Sequence, residues 1–423
     1  MPVSFSRWLG TKWEAESMRD IPFLFCTRSI RLFAFGLVSV ILVFFLTERG
    51  FSTTQVGWLL TLTLLGDAVI SLLLTTRADR WGRRRTLAIS GCLMVLAGLA
   101  VLATGNFWLL ALAMTIGVIS PAGNEVGPFL AVEQAALAHL VEDHRRTHYV
   151  AWYNVAGFSA TALGALTGGA LSGWWQHHHV PPLLSYERLF WFYAGAGVVL
   201  IVLSMQLSRA VEVETTPAKF RGFVAQWTGL HESRPVVLRL SSLFALDAFA
   251  GGFIVQSILA YWFYLKFGAT NLELGGLFFA TNILSGISAL VAIPLSKRLG
   301  LVNTMVFTHL PSNVLLMAVP LMPTFHLAVG FLLMRHLISQ MDVPARQSYV
   351  MAVVPASERS AANGITATVR SLGSGLAPSL AGMMLTTAAL ASAPIYLAGG
   401  LKIIYDLALY RGFRQVKPPE EAK

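Results

Sequence analysis

Charged residues are scarce in this sequence. Asp, Glu, Lys and Arg make up 12% of its 423 positions, whereas an ordinary soluble domain has roughly 25%. So few charges do not cover a water-facing surface, which excludes a soluble enzyme, a nucleic-acid-binding protein and a disordered scaffold. The net charge of +10 therefore reports where basic residues lie relative to a membrane, and it does not indicate binding to nucleic acid.

Cysteine and the motifs of nucleotide or metal chemistry are also lacking. The two cysteines, Cys26 and Cys92, lie in or beside apolar runs, so we expect buried, unreactive thiols and neither a disulfide framework nor a metal site. The sequence contains no GxxxxGK(S/T), HExxH or GxSxG motif, which argues against an ATP-driven motor and against an enzyme. No cofactor is expected.

Apolar residues are abundant and continuous. The set AVILMFWYC makes up 55% of the chain, and a helix that crosses a hydrocarbon core needs about 20 mostly apolar residues. Twelve such runs predict an all-α membrane protein and not a β-barrel, whose strands alternate with period two. The runs lie at about 23–47, 57–76, 87–105, 108–138, 149–173, 188–208, 236–264, 274–296, 304–322, 325–350, 361–388 and 393–411.

Basic residues are distributed unevenly over the predicted connections. Of the 31 Lys and Arg, only Arg49, Arg188 and Lys266 fall in loops opposite the termini. Four more lie within spans, and the rest, Arg28 and Arg31 included, are assigned to the side of the termini. Because cytoplasmic loops carry the excess of Lys and Arg, the sequence predicts a multi-pass protein of the cell membrane with both termini in the cytoplasm.

The predicted chain has a midpoint connection that divides it into two halves. Within it, Phe220, Phe223 and Trp227 recur at helical spacing beside basic residues, which favours an interfacial amphipathic helix, with a flexible linker as the alternative. The predicted parts are a cytoplasmic segment 1–22, a six-helix bundle 23–208, the central loop 209–235, a six-helix bundle 236–411 and a tail 412–423.

The two halves repeat in sequence. Gly50–Gly57 aligns with Gly268–Gly275, and the same offset places Asp79–Gly82 over Lys297–Gly300. Two six-helix bundles in the same orientation account for this repeat. The first-loop pattern and the Asp79-Arg80-x-Gly82-Arg83-Arg84 motif resemble those of the major facilitator superfamily of secondary transporters. A departure is Thr75, where the family usually has glycine.

The resemblance implies a twelve-helix fold that functions as a monomer and moves a small molecule across the bilayer by alternating access. It also implies that the motif of Asp79, Arg80, Gly82, Arg83 and Arg84 closes the cytoplasmic gate; charge that only sets topology is the alternative. In span 5, Gly164, Gly168 and Gly169 resemble the family's antiporter motif, with Ala165 in place of proline. Small residues at this spacing equally allow close helix packing.

Charged residues inside the predicted spans are costly, about 2.5–3.5 kcal/mol each on insertion scales, and so mark function. Proton-coupling candidates are the carboxylates Asp67, Glu125, Asp247 and Asp342, since desolvation disfavours an ionised carboxylate. Arg335 and Arg370 are candidate anion-binding residues. Structural ion pairs are the alternative, with Arg346 or Arg335 for Asp342. We further expect Glu133 to join the gate with Arg83, and Lys402 to pair with Asp406 one turn away.

Three functions are compatible with these features. The leading interpretation is a proton-coupled antiporter that exports a small organic or drug-like molecule. The alternative is a proton symporter that imports an organic anion or another nutrient, as Arg335 and Arg370 favour. A non-transporting sensor or enzyme on a transporter-like scaffold is less consistent with a chain that has no appended soluble domain. Substrate, protons and lipid are the expected partners.

Overall fold

A computed structural model describes the backbone of residues 3–125, 127–212, 233–355 and 358–416, and their side chains except those of 3–18, 143, 144, 146, 147, 360 and 361. Regular structure in these residues is helical. The helices are α1 Val3–Glu48, α2 Thr53–Trp81, α3 Arg83–Ala103, α4 Phe107–Ile116, α5 Phe129–Leu140, α6 Asp143–His177, α7 Pro182–Gln206, α8 Arg234–Gly252, α9 Gln256–Phe267, α10 Asn271–Leu299, α11 Leu301–Ala318, α12 Phe325–Ser339, α13 Asp342–Val353, α14 Arg359–Met384 and α15 Ala393–Phe413. The predicted helix within 209–235 falls mostly outside the described residues.

These helices correspond to the twelve predicted spans. Span 4 consists of α4 and α5, span 7 of α8 and α9, and span 10 of α12 and α13, and the other spans are single helices. Eight described segments are long and apolar enough to cross a membrane. Spans 4, 10, 11 and 12 are not among them, because the first two are broken into shorter helices and the last two are less apolar. The architecture is an all-α membrane fold.

Span 4 differs from the continuous helix predicted over 108–138. Its first helix ends at Ile116 and its second begins at Phe129. The intervening chain contains Gly123 and Gly127, with φ of +70° and +79°, a backbone region that favours glycine. Span 10 breaks before Asp342 because Pro344 has no N–H to donate to residue 340. Both breaks leave irregular backbone at the depth of the interior charges, where protein covers it.

The sequence repeat is reproduced in local structure. Ser52 and Thr270 each begin a helix with a capping box, formed with Gln55 and Glu273 respectively. Gly82, which joins span 2 to span 3, has a φ of +95°, and Gly300, which joins span 8 to span 9, has a φ of +82°. Equivalent turns in the two halves therefore have the same geometry.

The two halves contact each other at the end of the bundle opposite the chain termini, here called the far end. A Cβ added to Gly57 in span 2 would lie 2.6 Å from the carbonyl oxygen of Pro378 in span 11. The backbone N–H of Ser379 donates to Thr61 Oγ1 at 2.9 Å. On the other side of the bundle, a Cβ on Gly169 in span 5 would lie 2.2 Å from the carbonyl oxygen of Asn271 in span 8. Close backbone approach thus closes the far end.

The prediction of buried cysteines was wrong. Both Cys26 and Cys92 are exposed, since each points outward from a helix whose other faces pack within the bundle. An apolar run marks a span without marking which of its faces is buried.

Candidate functional site

One cluster of charges lies between spans 1 and 4. Arg31 is fully buried, and its Nη2 lies 2.9 Å from Glu125 Oε1 and 2.7 Å from Glu133 Oε2. Arg28, one turn earlier, pairs with Glu125 through Nη1 at 3.1 Å. Residues 28 and 31 were assigned from sequence to the cytoplasmic side of span 1. That assignment was wrong, because the two guanidinium groups turn into the bundle to neutralise buried carboxylates.

The remaining lone pairs of Glu133 are also occupied. Thr27 Oγ1 donates to Glu133 Oε1 at 2.7 Å, and the Tyr153 hydroxyl donates to Oε2. The guanidinium of Arg28 stacks 4.2 Å from the centre of the Tyr153 ring. The expected contact of Glu133 with Arg83 is therefore wrong, because Arg31, Thr27 and Tyr153 occupy this carboxylate, whereas the buried Nε of Arg28 has no hydrogen-bond partner.

Asp67 in span 2 has a different environment. It accepts hydrogen bonds from the backbone N–H of Gly127, in the broken part of span 4, and from Ser71 Oγ at 3.3 Å. Among the described ion pairs, none joins Asp67 to a Lys or an Arg. Neutral donors hold this carboxylate in place.

A second cluster surrounds Asp247 in span 7. Its Oδ2 accepts from Arg346 Nη1 of span 10 at 3.2 Å and from Arg370 Nη1 of span 11 at 3.0 Å. Lys402 of span 12 binds Oδ1. Asp342 pairs with Arg346 at 3.0 Å, one of the two partners that the sequence left open. Three cations thus converge on one buried carboxylate.

Spans 9 and 12 contribute a hydrogen-bonded group of polar side chains beside Asp247. His309 Nδ1 lies 2.8 Å from Asp406 Oδ1, and Asn313 Nδ2 donates to Asp406 Oδ2 at 2.9 Å. His309 Nε2 lies 3.9 Å from Asp247 Oδ1. The predicted pairing of Lys402 with Asp406 is wrong, because Lys402 reaches span 7 instead. In the sequence, His309 and Asn313 lie one helical turn apart within an apolar span. This spacing could have indicated a buried polar group on that span.

Arg335 is buried in span 10 without a described carboxylate partner within 4 Å. Its side chain is 8% exposed, and its Nη1 lies 3.1 Å from His336 Nε2. Its buried Nε has no hydrogen-bond partner, and neither does the buried Oγ of Ser339 one turn later. A buried guanidinium with an unpaired N–H group can still donate a hydrogen bond to a bound anion.

The described interior charges balance in number. Away from the ends of the spans, the side chains that turn into the bundle comprise the cations Arg28, Arg31, Arg335, Arg346, Arg370 and Lys402 and the carboxylates Asp67, Glu125, Glu133, Asp247, Asp342 and Asp406.

Arg370 is the most accessible member of the second cluster, with its side chain 30% exposed, while Asp247 is 5% exposed. Arg370 is therefore the member of the cluster that a ligand from outside the packed core reaches most readily.

The motif that the resemblance assigns to a gate is held within its own half. Asp79, 61% exposed, pairs with Arg83 at 3.0 Å. Gly82 has φ of +95°, and the N–H groups of Arg83 and Arg84 donate to the carboxylate of Glu212 at 2.6 and 3.2 Å. A carboxylate at a helix N-terminus is favourable because it pairs with unsatisfied N–H groups. The sequence analysis missed Glu212.

The glycines of span 5 divide into two roles. A Cβ on Gly164 or Gly168 would lie 2.0 or 2.4 Å from carbonyl oxygens of Phe33 and Leu37 in span 1. These two glycines permit packing within the first half. Gly169 instead meets span 8 of the second half. The far-end contact therefore depends on one member of the motif.

Comparison with known proteins identifies the family. The family model of the Major Facilitator Superfamily matches residues 24–378. The chain belongs to this superfamily. Its fold is accordingly that of two pseudo-symmetric six-helix bundles, and it is a membrane transporter.

Similar proteins share the fold and cover nearly the whole chain. An uncharacterised membrane protein of Saccharomyces cerevisiae is 28% identical over 374 residues, which are 82% of this chain and 84% of that protein. The crystal structure of a D-xylose–proton symporter has a TM-score of 0.70 and 15% identity, and the match covers 95% of this chain and 99% of the other. A bacterial homologue of the human lysosomal transporter Spinster, solved inward-facing and unoccupied, has a TM-score of 0.65 and 15% identity, with 94% and 95% of the two chains covered.

Proposed function

We propose that this transporter carries a small organic anion together with a proton into the cell by alternating access. It resides in the cell membrane with both termini in the cytoplasm, as the distribution of Lys and Arg favours. This is the symport alternative of the sequence analysis. The charges of the second half support it over export of a drug-like molecule.

The observation that carries the proposal is the state of Arg335. This buried guanidinium has an unpartnered Nε and no described carboxylate within 4 Å. Arg370, in the next span along the chain, is 30% exposed. Guanidinium groups bind carboxylates and phosphates with paired hydrogen bonds. An anion bound by Arg335 and Arg370 satisfies a buried donor that the protein leaves empty.

The balance of interior charges supports coupling to a proton. With equal numbers of cations and carboxylates inside the bundle, a monoanion that binds alone leaves one uncompensated negative charge. Such a charge at membrane depth is unfavourable by several kcal/mol. A proton that binds with the anion restores neutrality, so proton and anion binding favour each other.

The contacts between the halves support alternating access. Close backbone approaches at Gly57 and Gly169 seal the far end, which becomes the outside surface in the proposed orientation. Substrate then enters the present state from the cytoplasm. The related Spinster homologue, solved in an inward-facing conformation, has the same fold.

Export of an organic cation is the second candidate. It is favoured by Asp67, a half-buried carboxylate that neutral donors hold and that has no described basic partner. A cation or a proton at Asp67 would be the exchanged species.

The test is exchange by the purified full chain in proteoliposomes at equal pH on both sides. Vesicles loaded with unlabelled compound take up the same compound in labelled form if the protein carries it. The panel comprises lactate, gluconate and p-aminohippurate as organic monoanions, D-xylose as a neutral solute and tetraphenylphosphonium as a cation. Protein-free vesicles give the blank.

We expect exchange of at least one anion and accumulation of that anion when the outside is acidic. Exchange of the cation alone, with accumulation when the vesicle interior is acidic, would establish the export alternative and reject our proposal. Exchange of D-xylose without any anion would also reject it.

A further inference from the structure

Asp406 differs from the other carboxylates of the second half in the nature of its partners. It is fully buried, and it accepts hydrogen bonds from His309 and Asn313. No Lys or Arg forms a described ion pair with it, whereas Asp247 has three such pairs and Asp342 has one. A buried carboxylate needs a positive partner. Lys402 acts on Asp406 only from beyond ion-pair distance, so a proton on His309 is what gives Asp406 a hydrogen-bonded positive partner.

The ring of His309 lies between two carboxylates. Because Nδ1 is 2.8 Å from Asp406 Oδ1, we assign the N–H of the neutral ring to Nδ1. The lone pair is then on Nε2, which lies 3.9 Å from Asp247 Oδ1. Addition of a proton at Nε2 creates a second N–H, and a shift of about 1 Å brings this group to hydrogen-bond distance from Asp247.

Asp247 connects this histidine to Arg370, the most accessible member of the cluster. Its Oδ1 faces His309, and its Oδ2 accepts from Arg370 and Arg346. Because Arg370 is 30% exposed, an anion that arrives from water meets Arg370 in competition with Asp247.

We propose that His309 takes up the transported proton and that its protonation draws Asp247 away from Arg370, so that the substrate anion replaces Asp247 there. This inference rests on the proposed function and names its coupling residue. The proton forms the Nε2–H bond, and the imidazolium bridges Asp247 and Asp406. When the carrier opens to the other side, anion and proton leave together and Asp247 returns to Arg370.

The charged surroundings of His309 are consistent with one extra proton. The titratable and charged groups around it from neighbouring spans are Asp247 on span 7, Asp342 and Arg346 on span 10, Arg370 on span 11, and Lys402, Tyr405 and Asp406 on span 12. Lys402 binds Asp247 and Arg346 binds Asp342. Asp406 is the carboxylate of this group whose hydrogen-bond partners, His309 and Asn313, are neutral. A proton on His309 therefore compensates its charge.

Asp67 is the competing proton site. It is likewise without a described basic partner, and the neutral donors Gly127 N–H and Ser71 Oγ hold it in place. It lies in the first half, and its described hydrogen bonds do not connect it to Arg335 or Arg370. Protonation of Asp67 has no direct route to the cations of the second half.

The experiment compares two activities of purified variants in proteoliposomes. The first is exchange at equal pH of lactate, gluconate or p-aminohippurate, whichever the wild type exchanges fastest. The second is accumulation of the same anion under an imposed pH gradient of one unit. The variants are His309→Gln, whose amide still donates to Asp406 but does not titrate, Asp406→Asn, and Asp67→Asn. His326→Gln, an exposed histidine at the far end, is the matched control.

We expect His309→Gln and Asp406→Asn to exchange the anion more slowly than wild type, because Asp247 then stays on Arg370, and to lose pH-driven accumulation at least tenfold further than they lose exchange, while His326→Gln keeps both activities. Normal accumulation by His309→Gln, or loss of accumulation by Asp67→Asn alone, overturns the inference and leaves anion transport standing. Absence of exchange of all three anions by the wild type rejects the proposed function, and the inference with it.

A wild-type measurement decides the matter if both His309→Gln and Asp406→Asn fail to fold, as judged by size-exclusion chromatography. The detergent-solubilised wild type is mixed with the exchanged anion in weakly buffered solution near pH 7, and a pH indicator reports protons bound. Uptake of about one proton per anion bound supports the inference. Binding without proton uptake overturns it.

Discussion

At the scale of single residues, the sequence predicted which side chains carry interior charge better than it predicted their partners. Asp247, Arg335 and Arg370 were identifiable because a charge in an apolar run requires a compensating function. Helical spacing predicted that Lys402 pairs with Asp406, but Lys402 binds Asp247 on another span. Partners on different spans depend on packing, which the spacing within one span does not encode.

The residue-scale prediction concerns Arg335. Replacement of Arg335 by Gln removes the guanidinium while preserving much of the side-chain volume. Since a hydrogen bond to a charged group contributes about 1.5–3 kcal/mol, we expect the apparent affinity for the exchanged anion to fall roughly 10- to 100-fold. The measurement is the concentration dependence of exchange at equal pH.

Arg411→Gln is the control for this variant, since Arg411 is exposed near the terminal end of span 12. It should keep the wild-type affinity. An Arg335→Gln protein with unchanged affinity would show that the anion binds elsewhere.

At the scale of secondary-structure elements, continuous spans were predictable and their interruptions were not. The apolar run over 108–138 conceals a break, because Gly123 and Gly127 permit positive φ without lowering the apolar content of the run. The contact of Glu212 with the N-terminus of α3 was equally hidden, since it joins chain segments more than a hundred residues apart. Local patterns specify caps such as those of Ser52 and Thr270 and do not specify distant ones.

The element-scale prediction concerns the loop between spans 2 and 3. Asp79 pairs with Arg83, whose backbone N–H is bound by Glu212. If the loop rearranges during transport, Asp79→Asn weakens an interaction of one of its states and slows turnover. We expect exchange at saturating anion to fall at least fivefold with little change in melting temperature, because exposed ion pairs contribute about 0–1 kcal/mol to stability.

Glu142→Gln is the matched control, because Glu142 is an exposed carboxylate on the same end of the first half, 71% exposed. It should exchange at the wild-type rate. Wild-type turnover in Asp79→Asn would remove the gating role that the resemblance assigns to this motif.

At the scale of the whole molecule, the sequence repeat predicted two similar halves but not which end is closed. The repeat of Gly50–Gly57 at Gly268–Gly275 is visible in the sequence, and the glycines meet opposite partners across the interface, Gly57 with Gly382 and Gly169 with Gly275. Both states of an alternating-access carrier use the same sequence, so the closed end depends on their relative free energies. Composition alone does not determine that difference.

The whole-molecule prediction concerns closure of the far end. In Gly169→Ala, the added methyl group would lie 2.2 Å from the carbonyl oxygen of Asn271, so the halves must separate there. We expect slower exchange, by about tenfold, and a longer far-end distance between spin labels on the two halves in pulsed electron paramagnetic resonance.

Gly276→Ala, on the facing helix, is the control because its added Cβ has nothing within 4 Å. It should exchange normally and keep the wild-type distance. An unchanged distance in Gly169→Ala would mean that this glycine does not set the closed state.

The central claim is that one carrier cycle moves an anion and a proton in the same direction. Its most direct test uses proteoliposomes that contain a trapped pH-sensitive dye, with equal pH on both sides and the exchanged organic anion added outside. We predict acidification of the vesicle interior that requires the protein and that Arg335→Gln strongly weakens when the anion is supplied near the wild-type half-saturating concentration. Alkalinisation of the interior, or anion entry without any change in pH, would contradict it.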